Sequence, residues 1–253
     1  MKMTCVKRFL GDRGVRTRFF ATVAAFSILL AVPPAGCSAA RPAASSAVDS
    51  LVILHTNDVH SHLEPFELSG GERVGGVAAR AALIARERGR GGRVLLLDGG
   101  DLVQGTPYYN RFRGEPDHRL LDLLGYDAIA LGNHDLDDGP AAWRRRAEAT
   151  RTPILSANVF AAAESAWADR AAGPVPRAAL RSVKWVGGAK VSPGANLRYL
   201  ASPYRIVERG GLRIAIFGLT THSLDRIVAA RKNGGVAVGS PIAAARELVP
   251  RLR

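Results

Sequence analysis

The sequence predicts an α/β fold built on a mostly parallel sheet with helical crossovers, and three observations lead there. Apolar runs of strand length alternate with stretches of helical periodicity. The first three runs each end in a polar cluster containing Asp, Asn or His. Hydrophobic residues make up 47% of the 253 residues, enough for one sizeable packed domain or two small ones.

The elements follow in order. Leu51-Val52-Ile53-Leu54 is a first strand running into His55-Thr56-Asn57-Asp58. Residues 75–88 carry apolar side chains on one helical face. Val94-Leu95-Leu96-Leu97 is a second strand, ended by Asp98-Gly99-Gly100-Asp101. A helix over 116–124 has Pro116 in its first turn and Gly125 at its end. Residues 127–131 form a third strand, ended by Gly132-Asn133-His134-Asp135. A helix over 140–150 and a strand over 153–158 follow. Residues 160–201 are Ala-, Pro- and Gly-rich and predict a long excursion without clear elements. Residues 204–208 and 212–218 form a hairpin across Arg209-Gly210-Gly211, and 243–252 begin a last helix.

The formal net charge is +13, and +5 of it lies in residues 1–36, where six basic residues face Asp12 alone. The other basic residues are mostly Arg scattered among Ala and Gly, without the interleaved aromatics that stack bases, so no nucleic-acid partner is expected. A salt-sensitive basic surface binder is the reading this sets aside. Residues 1–40 read as a signal peptide: a basic start, the apolar run 19–32, then small residues around Cys37. The run is too short to span a bilayer stably. Ala35-Gly36-Cys37 resembles a bacterial lipobox, in which Cys37 would carry a lipid anchor; cleavage after Ala39 or Ala40, or an uncleaved helix, are the alternatives. Export to the periplasm or cell surface follows, with 41–50 as a linker. Cys5 and Cys37 are the only cysteines, so a metal in the body of the fold must be held by His, Asp, Asn or Glu.

The polar clusters carry the chemistry. On an extended strand end, Asp58 and His60 face one point and offer a carboxylate and an imidazole, donors that suit Zn, Mn or Fe. Gly100 lets the backbone turn sharply before Asp101, whose two oxygens can bridge two ions. Asn133 adds a neutral carbonyl oxygen and His134 follows it. One such pair is weak evidence. Three, each at the carboxyl end of a parallel strand where ligands bind, are hard to assign to chance.

Residues 54–65 (LHTNDVHSHLEP), 98–110 (DGGDLVQGTPYYN) and 131–140 (LGNHDLDDGP) resemble the first three motifs of the calcineurin-like metallophosphoesterases, with wording nearest the exported 5′-nucleotidase branch. The resemblance implies a metallophosphoesterase-type α/β sandwich of mixed sheets flanked by helices. It implies two divalent metal ions (Zn, Mn, Fe or Co) and hydrolysis of phosphate esters, with nucleotides as the small-molecule substrate. Asp58 and His60 would hold the first ion, Asp101 would bridge both and Asn133 would hold the second. His134 would contact the phosphoryl oxygen rather than metal, and Asp137 would orient it.

The remaining histidines have ordinary explanations. His55 suits local packing, His62 the rim of the site, and His118 a solvated helix start; His222 follows a strand end without matching a ligand motif. Glu64 and Glu67 read as loop surface, and Asp98 as a cap on the turn before Gly100. The resemblance also implies two later His motifs and a base-binding C-terminal domain. Nothing after Gly218 matches them, which predicts a catalytic domain over 51–253 that is incomplete at its C-terminus. Its second ion would be weakly held, and a catalytically impaired remnant or binding protein of the same fold is the alternative function.

Overall fold

The computed structural model describes residues 4–9, 50–164, 175–180, 182–192 and 194–253. Two sheets organise it. The first has five strands in the order β1 (Thr4–Phe9), β2 (Ser50–Thr56), β5 (Arg93–Asp98), β6 (Ala128–Ala130) and β7 (Ile154–Leu155). Strands β2, β5, β6 and β7 run parallel, while β1 pairs antiparallel with β2 from Thr4 opposite His55 to Phe9 opposite Ser50. A short hairpin, β3 (Pro65–Glu67) with β4 (Arg73–Gly75), leads into α1 (Val77–Gly89), which returns the chain from β2 to β5. Between β5 and β6 lie α2 (Pro107–Phe112) and α3 (Glu115–Leu124); α4 (Pro140–Glu148) joins β6 to β7.

The second sheet is antiparallel, in the order β10 (Leu197–Tyr199), β8 (Val159–Ala162), β13 (Val236–Val238) and β9 (Lys184–Trp185). Outside it lie the hairpin of β11 (Tyr204–Arg209) with β12 (Leu212–Phe217), the short α5 (Leu224–Ile227) and α6 (Pro241–Leu252). The main core fills the space around the parallel sheet with fully buried Leu96, Val103, Leu136 and Trp143, and reaches the second sheet through Val159, Val236 and Val238. Burying each such aliphatic side chain contributes roughly 2 kcal/mol against leaving it in water.

The alternation of strands and helices holds through residue 155. The strand expected over 153–158 divides instead. Residues 154–155 complete the parallel sheet, and 159–162 enter the antiparallel one. The excursion over 160–201 supplies β8, β9 and β10. Its strands are two to four residues long, too short for period-two alternation to show in sequence. The apolar run, Cys37 and most of the linker lie outside the described residues, whereas Thr4–Phe9, expected to be leader, occupies the sheet edge. Among the described residues no helix is long and apolar enough to cross a membrane.

A buried polar knot ties the two sheets where the chain changes from one to the other. Asn158 is fully buried; its Nδ2 donates to the carbonyls of Thr220 (2.8 Å) and Gly239 (3.0 Å), and its Oδ1 accepts the Thr220 N–H at 2.8 Å. Thr220 Oγ1 donates to the Leu131 carbonyl at 2.8 Å and meets Ser156 Oγ at 2.9 Å. Every hydrogen-bonding atom of the Asn158 amide group except one lone pair is used, as a buried amide requires.

His118 departs from the solvated helix start expected of it. It is 1% exposed, and its Nδ1 lies 3.0 Å from the Gly114 carbonyl. The inward face of α3 is formed by Asp117, His118 and Leu121, so its register, not residue polarity, decides burial. Burial pulls the imidazole pKa from 6.5 down to about 4, with the Gly114 carbonyl opposing. A base whose folded pKa is depressed contributes stability that is full above the unfolded pKa and is lost as pH falls toward the folded one.

Two outcomes are expected. The stability advantage of the wild type over His118→Gln shrinks by about 2 kcal/mol between pH 7 and pH 4.5, read from urea midpoints. Asn158→Leu destabilises by roughly 3 kcal/mol, because the Thr220 N–H loses its buried partner. A loss below about 1 kcal/mol in the same denaturation assay contradicts the role of the knot.

Candidate metal centre

The three polar clusters lie side by side beyond the carboxyl ends of β2, β5 and β6. The loops after β2 and β5 continue the ladder past the strands: Asp58 N–H donates to the Gly100 carbonyl (3.0 Å), His60 N–H to Asp101 (3.1 Å) and Ser61 N–H to Leu102 (3.0 Å). The backbone there is not extended, contrary to the sequence reading. Asp58, His60 and Ser61 have φ of 51°, 48° and 51°, and Asp101 has 54°. Left-handed turns, to which Asp and His are better suited than Ser, aim these side chains instead of strand alternation. Asp58 Oδ1 and His60 Nε2 nevertheless approach to 3.8 Å.

Glycines permit the third loop to close on the second. A Cβ at Gly132 would lie 2.1 Å from the Asp101 nitrogen, and one at Gly100 would lie 2.8 Å from both the Ala130 carbonyl oxygen and the Gly132 nitrogen. Neither contact is possible, so the second and third loops meet backbone to backbone. His134 then donates its N–H to Asp101 Oδ1 at 2.9 Å.

The result is a cluster in which one ligand atom each from His60, Asp101 and His134 lie within 4.8 Å of one another. The rings of His60 and His134 meet edge to face with centroids 5.0 Å apart. Asp58 flanks the cluster with its side chain 57% exposed. Asn133 stands between Gly132 and His134, its carbonyl accepting the Leu136 N–H at 3.1 Å as it begins the 3₁₀ turn His134–Leu136. Asp58 and His60 open on one side to a cleft of about 320 Å³ lined also by His62, Phe66 and Gln104. His62 is thus at the rim, where the sequence put it.

Asp137 Oδ2 lies 2.8 Å from His134 Nδ1 and accepts its proton, which leaves Nε2 facing the cluster. Burial pulls the His134 pKa down, but the Asp137 hydrogen bond and the charges of Asp137, Asp101 and Asp135 outweigh it and raise it. Two buried carboxylates brace the turns. Asp98 Oδ1 accepts the Gly100 N–H at 2.8 Å, as expected of a cap, and Asp135 Oδ2 accepts the Gly132 N–H at 2.8 Å. Burial raises Asp98 to about 6 against the pull of Thr56, Gly100 and Arg80. Burial likewise raises Asp135 to about 7 against Gly132 and Arg146. Nothing in the sequence signals Asp135's role, because the neighbouring His134 carries the motif's obvious chemistry.

The other histidines stand apart from the cluster. His55 lies within β2 opposite Leu97, and His222 is half-buried in the turn after β12. Glu64 and Glu67 are exposed, Glu64 accepting from the Tyr108 hydroxyl at 3.1 Å.

Residues 51–218 match the calcineurin-like phosphoesterase family. A 5′-nucleotidase of Vibrio cholerae serotype O1 is 33% identical over 226 residues, covering 87% of this chain and 34% of that protein. Snake venom 5′-nucleotidase of Gloydius brevicauda is 35% identical over 191 residues, covering 73% of this chain and 27% of that one. The crystal structure of a 5′-nucleotidase precursor from Thermus thermophilus superposes with a TM-score of 0.60 at 37% identity, over 79% of this chain and 34% of that chain. The chain therefore spans about a third of the length of the curated relatives it matches. The fold, the three strand-end loops and this match agree: the chain belongs to the calcineurin-like phosphoesterase family.

Proposed function

We propose that the chain carries the metal-holding and phosphoryl-facing side of an exported hydrolase of phosphate esters, with nucleoside 5′-phosphates as the substrate class. The convergence of His60, Asp101 and His134 within 4.8 Å, with His134 pinned by Asp137, carries this reading. The donor set fits a borderline divalent cation: imidazole nitrogen and carboxylate oxygen dominate it, and sulfur takes no part. Two ions would be held, one by Asp58, His60 and Asp101 and the other by Asp101 and Asn133. What divalent ions supply when bound is Lewis acidity toward the phosphoryl oxygens and a more acidic water.

The chain's own groups then have distinct tasks. Asp101 is held by its hydrogen bond from His134 N–H, so its carboxylate keeps one orientation. Asp137 fixes the His134 tautomer, and Nε2 is left to donate to a phosphoryl oxygen as negative charge gathers there. Hydrolysis would add water to phosphorus in line as the P–O bond to the nucleoside 5′ oxygen breaks, with the water's proton ending on that oxygen, and no covalent phosphoenzyme would be required.

The nucleotide preference draws on the relatives that are named 5′-nucleotidases. Export is supported by the basic, then apolar, then small-residue pattern of residues 1–40, and Cys37 is the site where a lipid anchor would attach. We further infer that residues 51–253 are the N-terminal part of a catalytic domain, and that the leaving group is selected by regions of the longer relatives outside the stretch matched here.

Purified chain supplied with Mn²⁺ or Co²⁺ is expected to release phosphate from AMP, and excess EDTA to stop it. His134→Ala should lower turnover by roughly 10²-fold or more while leaving Mn²⁺ affinity unchanged. A fall in Mn²⁺ affinity equal to that of His60→Ala would make His134 a ligand instead. Mn²⁺ binding without turnover above the His134→Ala control would leave a binding protein.

A further inference from the structure

Each of the three loops at the centre is braced by a buried carboxylate. Asp98 and Asp135 belong to the loops' own segments. The third, Asp117, comes from α3 and lies in none of the sequence clusters. It is 1% exposed, and its Oδ2 accepts a hydrogen bond from Ser61 Oγ at 3.1 Å.

Ser61 is the residue after His60. It is fully buried with φ of 51°; its N–H donates to the Leu102 carbonyl, and its own carbonyl accepts from Thr106 Oγ1 at 3.1 Å. Three left-handed residues within four positions form a conformation that persists only where its surroundings over-determine it. The Ser61 hydroxyl is a polar anchor that this segment sends into the core.

Arg80 supplies the counter-charge. It is 3% exposed on the inward face of α1 beside Ile84, a position where the sequence reading placed apolar residues. Its charge favours ionised Asp117 and ionised Asp98 alike, so one guanidinium serves two of the three braces. Among the described residues its Nε and Nη1, like Asp117 Oδ1, are buried without a hydrogen-bond partner. Burial raises Asp117 to about 6 against the pull of Ser61 and Arg80. An apolar residue would fill this place in α3 at less cost than a buried carboxylate with Oδ1 unpaired.

We propose that Asp117 is a positioning residue for the metal centre, holding the Asp58–Ser61 turn through Ser61 Oγ so that Asp58 and His60 are aimed before metal arrives, with Arg80 as its counter-charge. This rests on the metal-centre reading above. Asp117 touches neither metal nor substrate and acts only through Ser61.

The test measures Mn²⁺ affinity of the full chain from the electron paramagnetic resonance signal of free Mn²⁺, alongside melting in EDTA. Ser61→Ala and Asp117→Ala are each expected to weaken Mn²⁺ binding about tenfold or more, and Asp117→Asn, which keeps an acceptor oxygen, less than threefold. Leu121→Ala, a cavity on the same inward face of α3, is expected to lower the melting temperature without changing Mn²⁺ affinity. If Asp117→Ala does not fold, Ser61→Ala decides, since it removes a single oxygen. Wild-type affinity in Ser61→Ala overturns the proposal, as does an equal loss in Leu121→Ala. A wild-type chain that takes up no Mn²⁺ overturns this proposal and the metal-centre reading together, and is distinguished from the other outcomes by that alone.

Discussion

The contact on which the site depends is between two backbones. Gly132 lies so close to Asp101 that no side chain fits between them. That closeness brings the third loop against the second and lets His134 N–H reach Asp101 Oδ1. The first loop joins them by continuing the β2–β5 ladder past the strand ends. Strand pairing sets the spacing, glycine removes the obstruction, and the cluster of His60, Asp101 and His134 follows. A parallel sheet is suited to this because all its carboxyl ends face the same way.

Much of this was legible in the sequence because the site is a consequence of pattern. Each cluster follows an apolar run, so its place at a strand end could be read directly, and Gly100 announced the sharp turn before Asp101; the close approach at Gly132 was not announced. The geometry inside the loops was not legible. Residues two apart point together on an extended strand, and Asp58 and His60 do converge, but through left-handed turns that nothing in their identities demands. His118 was misread for a related reason: polarity suggested water, while the turn of α3 put the ring in the core. The second sheet escaped because its pairings join segments far apart in the chain, such as Val236 with Ala161, and its strands are too short to show a period.

Charge under the site is arranged economically. Arg80 and Arg146 are both buried, although the sequence shows them as members of an ordinary scatter of surface arginines. Arg146 donates Nη2 to the Asp135 carbonyl at 2.6 Å and favours the ionised forms of Asp135 and Asp117. Two buried guanidiniums thus counter three buried carboxylates, while Asp58, Asp101 and Asp137 are less buried and lie at the cluster itself.

The polar knot at Asn158 bears on how the second sheet is fixed to the site. The three ligand loops and Asp137 come from neighbouring strands of one stretch of chain, joined by helical crossovers. The knot must close contacts 62 residues apart, between Asn158 and Thr220, and 81 apart, to Gly239. The cost of such closures grows slowly, by about 0.6 kcal/mol for each doubling of the loop, so their length is little obstacle. The knot acts as a latch: through Asn158, Thr220 and the Leu131 carbonyl it fastens the second sheet to the end of β6, where the third ligand loop begins.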